Sequence, residues 1–181
     1  PVTVGDDNLS TSIINSTQFD VPYIGQEVPI EAFQKAQPGN VTLELLGVFT
    51  QNPATDPVID FSWYARGDSA NPHHLFNINN GQNRTLTPQF TGALSFDPGS
   101  AEFAFATTWA QYGYTVYTED ALNVFGGAIP HHARVYPLRD ANGVVANAYI
   151  VAIEENTSGY DYQDLVFKVS NVTPATSSAS T

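Results

Sequence analysis

The densest group of side chains that could do chemistry lies near the C-terminal end of the sequence. Glu154 and Glu155 end a hydrophobic stretch, a short polar segment follows, and Asp161 and Asp164 open the next hydrophobic stretch. Two strands joined in this way bring four carboxylates close together, where their negative charges repel one another. Lys168 is the nearest cationic residue in the sequence. A calcium ion would relieve the repulsion, since it takes about six to eight oxygen ligands in flexible loops, so this segment predicts a calcium site.

Three further residues, Glu119, Asp120 and Asn123, lie on one segment whose carboxylates and amide could complete the coordination shell of that ion. An alternative interpretation is a solvated acidic hairpin end that holds no metal. Paired carboxylates also carry out glycoside hydrolysis. The predicted hairpin, however, crowds its carboxylates into one turn instead of placing them across a cleft. The acidic residues therefore favour metal binding over catalysis.

Histidine occurs in two adjacent pairs, His73–His74 and His131–His132. Neighbouring residues on a strand face opposite sides of the sheet, so the two members of a pair cannot readily bind one metal ion. The sequence contains no zinc-protease spacing, no Gly-x-Ser-x-Gly motif, no phosphate-binding glycine loop and no dinucleotide-binding fingerprint. Cysteine is absent, which excludes disulfides, zinc–thiolate sites and thiol catalysis. We expect structural histidines and no catalytic residues.

Aromatic side chains suggest a second kind of site. Trp109 and Tyr112 flank a short turn, and Trp63 lies on an alternating stretch. Exposed aromatic rings can stack on sugar rings, so these three residues are candidates for glycan binding, although most aromatic residues of a β-sandwich belong to its core. The Arg-Gly-Asp tripeptide at residues 66–68 matches a cell-adhesion motif, but a polar turn after a strand is the simpler interpretation.

Sequons for N-glycosylation are frequent. They lie at Asn8, Asn15, Asn40, Asn83, Asn156 and Asn171. The chain contains 14 Asn together with 29 Ser and Thr residues, a composition from which chance alone yields fewer sequons. Asn40 and Asn83 are the better candidates because each adjoins a turn signal, and Asn171 is weaker because it ends a predicted strand. Since glycosylation requires export, these sequons favour an extracellular or cell-surface location.

Short strands separated by turn-forming residues would position these sites. Predicted strands cover residues 41–50, 58–66, 75–78, 94–96, 101–109, 112–118, 133–138, 144–154 and 165–172. The breaks contain Asn-Pro, Asp-Pro-Gly, Asn-Gly and Gly-Gly, and residues 139–143 predict a hairpin turn. Helical periodicity is limited to residues 30–36. This pattern predicts an all-β fold, an antiparallel β-sandwich or jelly roll with at most one short helix.

The second half of the chain resembles a known type of domain. The matching stretches are Phe103-Ala-Phe, residues 117–123, residues 131–136, residues 148–155 and residues 161–167 (Asp-Tyr-Gln-Asp-Leu-Val-Phe). Together they resemble the DUF4114-type β-sandwich domain of secreted bacterial proteins, over residues 103–172. The sequence departs from that pattern at Gly159, where the family has an acidic residue, and at Gln163, where it has Asn. The resemblance implies a secreted β-sandwich.

Composition restricts the partners that the chain can bind. It holds 18 acidic residues against 6 Lys and Arg, for a formal net charge of −12. Such a surface repels nucleic acid and anionic membranes, since affinity for both depends on basic residues. No apolar run approaches the roughly 20 residues of a membrane span. Divalent cations and neutral sugars suit this charge better, so we expect no nucleic acid and no membrane insertion.

The length of 181 residues suits one well-buried domain. We expect an N-terminal strand or linker segment at residues 1–20, a β-sandwich at residues 21–173 and a Ser/Thr-rich linker or tail at residues 174–181. The first segment carries a few apolar residues, with which it could pair with the sheet edge of a neighbouring chain. Folding back onto its own sandwich is the alternative.

These observations predict a non-enzymatic extracellular β-sandwich, stabilised by calcium, that acts as a structural or adhesive unit of a cell-surface or extracellular assembly. The alternative is a carbohydrate-binding module of a secreted multidomain protein. Self-association through exchanged strands would favour the first function. An exposed aromatic platform on a separate domain would favour the second.

Overall fold

The chain forms two antiparallel β-sheets that pack against each other. The computed structural model describes residues 26–50, 57–126, 129–157 and 160–175. The prediction of an all-β antiparallel sandwich is confirmed. The predicted N-terminal segment at residues 1–20, with its sequons Asn8 and Asn15, lies outside the described residues, as does the tail beyond residue 175.

Each sheet is built mainly from strands that pair with distant parts of the chain. Sheet A contains β1 (Phe33–Lys35), β3 (Ile59–Ala65), β4 (His73–Ile78), β6 (Phe90–Gly92), β8 (Phe103–Trp109), β9 (Tyr114–Tyr117) and β13 (Val172–Pro174). Its order is β13-β1-β8-β3-β4-β6, and β9 pairs with β8. Sheet B contains β2 (Val41–Phe49), β5 (Arg84–Leu86), β7 (Ser95–Phe96), β10 (Ala133–Asp140), β11 (Gly143–Ile153) and β12 (Leu165–Ser170). Its order is β10-β11-β12-β2-β5, and β7 pairs with β2.

Aromatic residues from both sheets fill the space between them. Phe61 of β3 and Phe105 of β8 contact Phe167 of β12, with ring centroids 5.1 and 5.4 Å from its ring. All three side chains are fully buried. Each buried phenylalanine contributes roughly 1.5–3 kcal/mol relative to an exposed one. Successive side chains of a strand point to opposite faces of the sheet, and these three phenylalanines lie on the faces that meet in this core.

The hairpin predicted at residues 139–143 is confirmed. Asp140 and Gly143 are directly opposite in the β10–β11 pairing. Gly143 has a φ of 118°, which a side chain would strain, and the backbone N–H of Asn142 donates to Asp140 Oδ1 over 2.7 Å. The turn residues therefore set the register between β10 and β11.

The helical periodicity at residues 30–36 is misleading, because residues 33–35 form strand β1. Phe33 is fully buried and lies opposite Phe103 of β8, while Lys35 lies opposite Val172 of β13. Pairing on both sides decides the conformation of so short a segment, and this overrides its local pattern. The described residues contain one short helical element, a single turn of 3-10 helix at Asp120–Leu122.

The outer face of sheet B is partly covered by the loop that joins β11 to β12. Tyr160 and Tyr162 of this loop pack with Tyr136 and Ile150 in a second hydrophobic cluster. The rest of that face, toward β2 and β5, stays open. In the part of the chain that the structure describes, no helix has the length and apolar character needed to span a bilayer.

Candidate metal centre

Glu154, Asp161 and Asp164 come together where β11 leads into β12. One carboxylate oxygen from each residue lies within 4.8 Å of the other two. The two strands are antiparallel neighbours with Ile153 opposite Leu165, so the residues that follow β11 meet those that precede β12. Glu154 and Asp164 are buried, whereas Asp161 is exposed. The structure thus assembles three of the four acidic residues predicted from this segment.

The loop wraps its backbone amides around the Glu154 carboxylate. Oε1 accepts from the N–H of Asn156 at 3.0 Å, and Oε2 accepts from the N–H groups of Asp161 and Tyr162 at 2.9 and 3.3 Å. Asp164 Oδ2 accepts from the backbone N–H of the residue after Glu154 at 2.8 Å. Tyr162 adopts a positive φ of 55°. These bonds hold two buried carboxylates in fixed orientations.

Negative charge at this cluster is poorly compensated by the protein. Among the described residues, no ion pair involves Glu154, Asp161 or Asp164. Burial raises the pKa of Glu154, and the backbone amides that it accepts from only partly oppose this rise. Burial also raises the pKa of Asp164, and the neighbouring charges of Glu154 and Glu155 raise it further. The cluster therefore favours a proton or a cation.

A stack of aromatic rings lies beside the carboxylates. Tyr112 stacks on Tyr114 with centroids 5.5 Å apart, and Tyr114 stacks on Phe125 at 4.2 Å. The Tyr112 hydroxyl is buried and has no hydrogen-bond partner among the described residues. Burial, with the charges of Glu155 and Asp164, raises the pKa of Tyr112 to about 12. The Tyr112 hydroxyl is therefore protonated at neutral pH, and the negative charge of the carboxylates acts on it.

The chemistry of these groups fits a hard cation. The three carboxylates offer only oxygen donors, and the group of close ligand atoms contains no histidine. Oxygen ligands of this kind suit calcium, whereas transition metals prefer imidazole or thiolate. Because Asp161 is exposed, water can reach the cluster and complete a shell of about six to eight ligands.

Glu155 lies beside this group but outside it. Its carboxylate accepts a hydrogen bond from the Thr50 hydroxyl at the end of β2, and its backbone carbonyl accepts from the Tyr114 hydroxyl at 2.9 Å. Glu155 is buried. It therefore joins the two sheets at this end of the sandwich, and it contributes a charge to the cluster without offering an atom to the close group.

The structure does not bring Glu119, Asp120 or Asn123 into the cluster, which corrects the predicted coordination shell. Glu119 accepts from the Arg66 guanidinium at 3.0 Å and Asp120 pairs with His131 at 3.0 Å. The Asn123 amide bonds to backbone groups of β9 and of the segment before β10. These three residues follow β9, which belongs to sheet A, whereas the cluster lies at the end of sheet B. Their polar atoms therefore bond to groups other than those of the cluster.

A second buried charge cluster centres on Glu27 and was not predicted from the sequence. Glu27 Oε1 lies 2.5 Å from His131 Nε2, and Oε2 lies 2.6 Å from Arg134 Nη1. Burial lowers the pKa of His131, but hydrogen bonds to Asp120 and Glu27 outweigh it and raise the pKa to about 9. His131 is therefore cationic at neutral pH. Glu27 and His131 are 104 residues apart, so no local pattern signals this pair.

The remaining histidines have separate structural contacts. Burial lowers the pKa of His132, so this ring is neutral and its Nδ1–H donates to the Glu154 carbonyl at 2.9 Å. His73 stacks on Trp63, and His74 Nε2 lies 3.6 Å from Asp60. In the described residues the two members of each pair thus contact different groups.

The predicted sugar-stacking platform is wrong for both tryptophans. Trp109 is only 1% exposed and belongs to the core between the sheets. Trp63 is half-buried against the core and stacks on His73 at 4.2 Å and on Phe96 at 5.1 Å, so its indole is engaged within the protein. Tyr112 lies in the aromatic stack described above with its hydroxyl buried. The alternation of β3 and β8 turned these rings inward, as the core interpretation expects.

The tripeptide at residues 66–68 forms the turn that follows β3. The N–H of Asp68 donates to the Ala65 carbonyl at 2.8 Å, and Gly67 has a φ of 85°. Arg66 pairs with Glu119 and Glu102 at 3.0 and 3.3 Å. These ion pairs engage the arginine within the protein, which supports a structural turn.

The described sequons differ in their accessibility. Asn40 is exposed, whereas Asn83 is only 7% exposed. The Asn171 amide donates to the carbonyls of Gln37 and Asn40, and Asn156 accepts from the next residue's N–H. Glycosylation stays a prediction, and among these sites Asn40 offers the most open side chain.

Comparisons with known proteins do not identify a family. No protein-family model and no curated protein matches the chain. Among solved structures, the lectin CV2L of Chromobacterium violaceum, in complex with α-methyl-fucoside, is similar with a TM-score of 0.42 and 12% sequence identity. The alignment covers 82% of this chain and 99% of the lectin chain. A likeness at this level shows neither a family nor a function, and the resemblance to the DUF4114-type domain stays a prediction.

Proposed function

We propose that the chain is a non-enzymatic extracellular β-sandwich, stabilised by a calcium ion at Glu154, Asp161 and Asp164, that serves as a structural or adhesive unit of an extracellular or cell-surface assembly. The observation that carries the calcium site is the convergence of three carboxylates within 4.8 Å, with no ion pair to any of them among the described residues. The buried, unpartnered Tyr112 hydroxyl, on which the charges of Glu154 and Asp164 act, supports it. A bound cation would convert the mutual repulsion into attraction.

The geometry of Glu154 supports a non-catalytic role. Both of its carboxylate oxygens accept backbone N–H bonds, and the residue is only 2% exposed. A general acid or nucleophile must reach the reacting atom of a substrate. Glu154 instead faces its own loop, and Asp164 is similarly enclosed. The cluster is thus better suited to hold an ion than to act on a glycosidic bond.

Terbium luminescence tests the metal site directly, since this ion takes oxygen ligands like calcium and is sensitised by nearby tyrosines such as Tyr112. We expect saturable luminescence that calcium displaces. The variants Asp161→Asn and Asp164→Asn should weaken terbium binding about tenfold or more because each loses a charged ligand. Asp140→Asn, which alters an exposed carboxylate in the hairpin turn, is the matched control. Equal luminescence from all three variants would contradict the site.

The stabilising effect of calcium should grow with pH. The pKa of Glu154 and of Asp164 is raised in the folded chain, so without the ion their contribution to stability is greatest at low pH and is lost as pH rises above the usual carboxyl range of about 4. Calcium competes with these protons for the two carboxylates. Bound calcium therefore prevents the loss of stability that the chain without the ion shows as pH rises. The measurement is the unfolding midpoint with calcium minus that with chelator, at several pH values between about 5 and 8.

Taking that difference cancels the contribution of His131, whose raised pKa of about 9 also favours the folded state at lower pH. Asp164→Asn should flatten the pH dependence of the calcium effect, since one of the two titrating carboxylates is gone. A calcium effect that is constant across this range would show that the ion binds elsewhere.

A second candidate function is carbohydrate binding. The observation that favours it is the open part of the outer face of sheet B, where apolar side chains remain exposed beside polar ones. Phe49 is 50% exposed and Leu86 is 80% exposed. Neither residue was predicted as a glycan contact.

A further inference from the structure

Two adjoining grooves cross the outer face of sheet B. The first has a volume of about 450 Å³ and runs between β2 and β5, with Phe49, Leu86 and Gln163 among its walls. The second, of about 570 Å³, runs toward the β10–β11 hairpin and includes Leu138. Leu46 lines both, so the grooves meet there. We call them together the outer groove.

The first part of the outer groove has an apolar floor. Leu86 lies opposite Gly47 in the β2–β5 pairing, and Phe49 lies opposite Arg84, so Phe49 and Leu86 belong to neighbouring strands. Val166 of β12 continues this surface. Both large residues keep half or more of their surface exposed, which is uncommon for adjacent apolar side chains.

Polar groups line the same walls in positions to make hydrogen bonds. The Arg84 guanidinium lies 5.2 Å from the Phe49 ring centre, and its Nε donates to the Thr50 carbonyl at 3.4 Å. Its two terminal nitrogens make no hydrogen bond to the described residues. Gln163 donates to Asp161 Oδ2 at 2.7 Å and so places its amide between the groove and the carboxylate cluster. An apolar floor with a few directed polar groups is typical of a ligand site.

The charge and the length of the outer groove restrict the kind of ligand that can bind there. The chain has a net charge of −12, which repels anionic polymers. The walls of the first groove contain no carboxylate with which a cationic ligand could pair. The sheet is five strands wide from β10 to β5, which spans about 19 Å at the usual spacing between strands. The ligand should therefore be uncharged, elongated, apolar on one face and able to form hydrogen bonds at its edges.

We infer that the outer groove binds a neutral oligosaccharide chain, with one sugar ring lying on Phe49 and Leu86. The C–H face of a pyranose ring packs on these side chains, while Arg84 and Gln163 bind its hydroxyl groups. The polar residues of the second part, including the Glu44–Lys168 ion pair, bind hydroxyls further along the glycan. This inference deepens the second candidate function and does not depend on calcium binding.

Affinity electrophoresis provides the test. The chain is run in native gels that contain a neutral polysaccharide (a β-glucan, a xylan or a galactomannan) or the anionic polysaccharide alginate. At least one neutral polysaccharide should retard the protein, and alginate should not. Phe49→Ala and Leu86→Ala should each weaken that retardation about tenfold, the scale of losing one well-packed ring contact. Val124→Ala, which removes an exposed apolar side chain outside the groove, is the matched control.

The substituted residues are exposed, so all three variants should keep the unfolding midpoint of the parent chain. The inference is overturned if no neutral polysaccharide retards the protein, or if Phe49→Ala and Leu86→Ala bind like Val124→Ala. It is also overturned if sedimentation shows that Phe49 and Leu86 join two copies of the chain while glycan has no effect. Running the gels with chelator separates this inference from the calcium site, since retardation should persist without the ion.

Discussion

Replacing Glu27 by alanine is expected to destabilise the fold by about 3–5 kcal/mol, the largest single effect in the charge network of this protein. The Glu27 carboxylate is fully buried and neutralises two cations, the His131 imidazolium and the Arg134 guanidinium. Removing it leaves Arg134 buried without its carboxylate partner. His131 keeps Asp120 and can lose its proton, so most of the cost falls on Arg134.

Chemical denaturation at pH 7 measures this loss. Glu27→Gln keeps the shape and some hydrogen bonding but removes the charge, so it should fall between the parent chain and Glu27→Ala. Glu44→Ala is the control, because Glu44 also pairs with a cation, Lys168, but its side chain is 55% exposed. An exposed pair contributes only about 0–1 kcal/mol. If Glu27→Ala were as stable as Glu44→Ala, the buried network would contribute nothing to the fold.

Saturating calcium is expected to raise the thermal unfolding midpoint by roughly 5–10 °C. An ion present at about 100 times its dissociation constant adds about 2.7 kcal/mol to the stability of the folded chain. For a chain of this length, each kcal/mol moves the midpoint by roughly 2–4 °C. The added stability arises because the folded chain brings Glu154, Asp161 and Asp164 together, whereas the unfolded chain does not.

Asp161, the exposed carboxylate of the cluster, provides a control for the calcium-induced shift in the unfolding midpoint. Asp161→Asn removes one charged ligand from a residue that the fold itself hardly needs, so the midpoint in chelator should change little while the calcium shift shrinks. The buried neighbour differs, since Asp164→Asn should raise the midpoint in chelator by relieving repulsion with Glu154. A calcium shift of equal size in the parent chain and Asp161→Asn would place the ion elsewhere.

Local sequence patterns account for much of the architecture. Strands β3, β8 and β12 follow alternating apolar stretches, and the turn at residues 139–143 follows from its Asn-Gly pair. Such features depend on a few neighbouring residues, because side chains alternate between the two faces of a strand. The short strands β1, β5 and β6 escaped prediction, because only their pairing partners keep three residues extended.

The close spacing of Glu154, Asp161 and Asp164 was likewise predictable, since a single connection between adjacent strands joins them. That Glu119 and Asp120 lie outside the cluster was not predictable from the sequence. The two residues belong to a segment beside sheet A, where they pair with Arg66 and His131. Contacts between residues that are far apart in sequence leave no trace in local spacing.

Local sequence patterns are enough to predict an acidic, all-β chain with carboxylates gathered at one strand connection. They do not predict which rings are buried and which are open, because that depends on the tertiary packing. Trp109 is buried in the core and Trp63 stacks on Phe96, whereas Phe49 and Leu86 remain exposed at the open side of sheet B. Alternation tells which residues share a face of a strand, but whether that face meets another sheet or solvent depends on the packing of the whole chain.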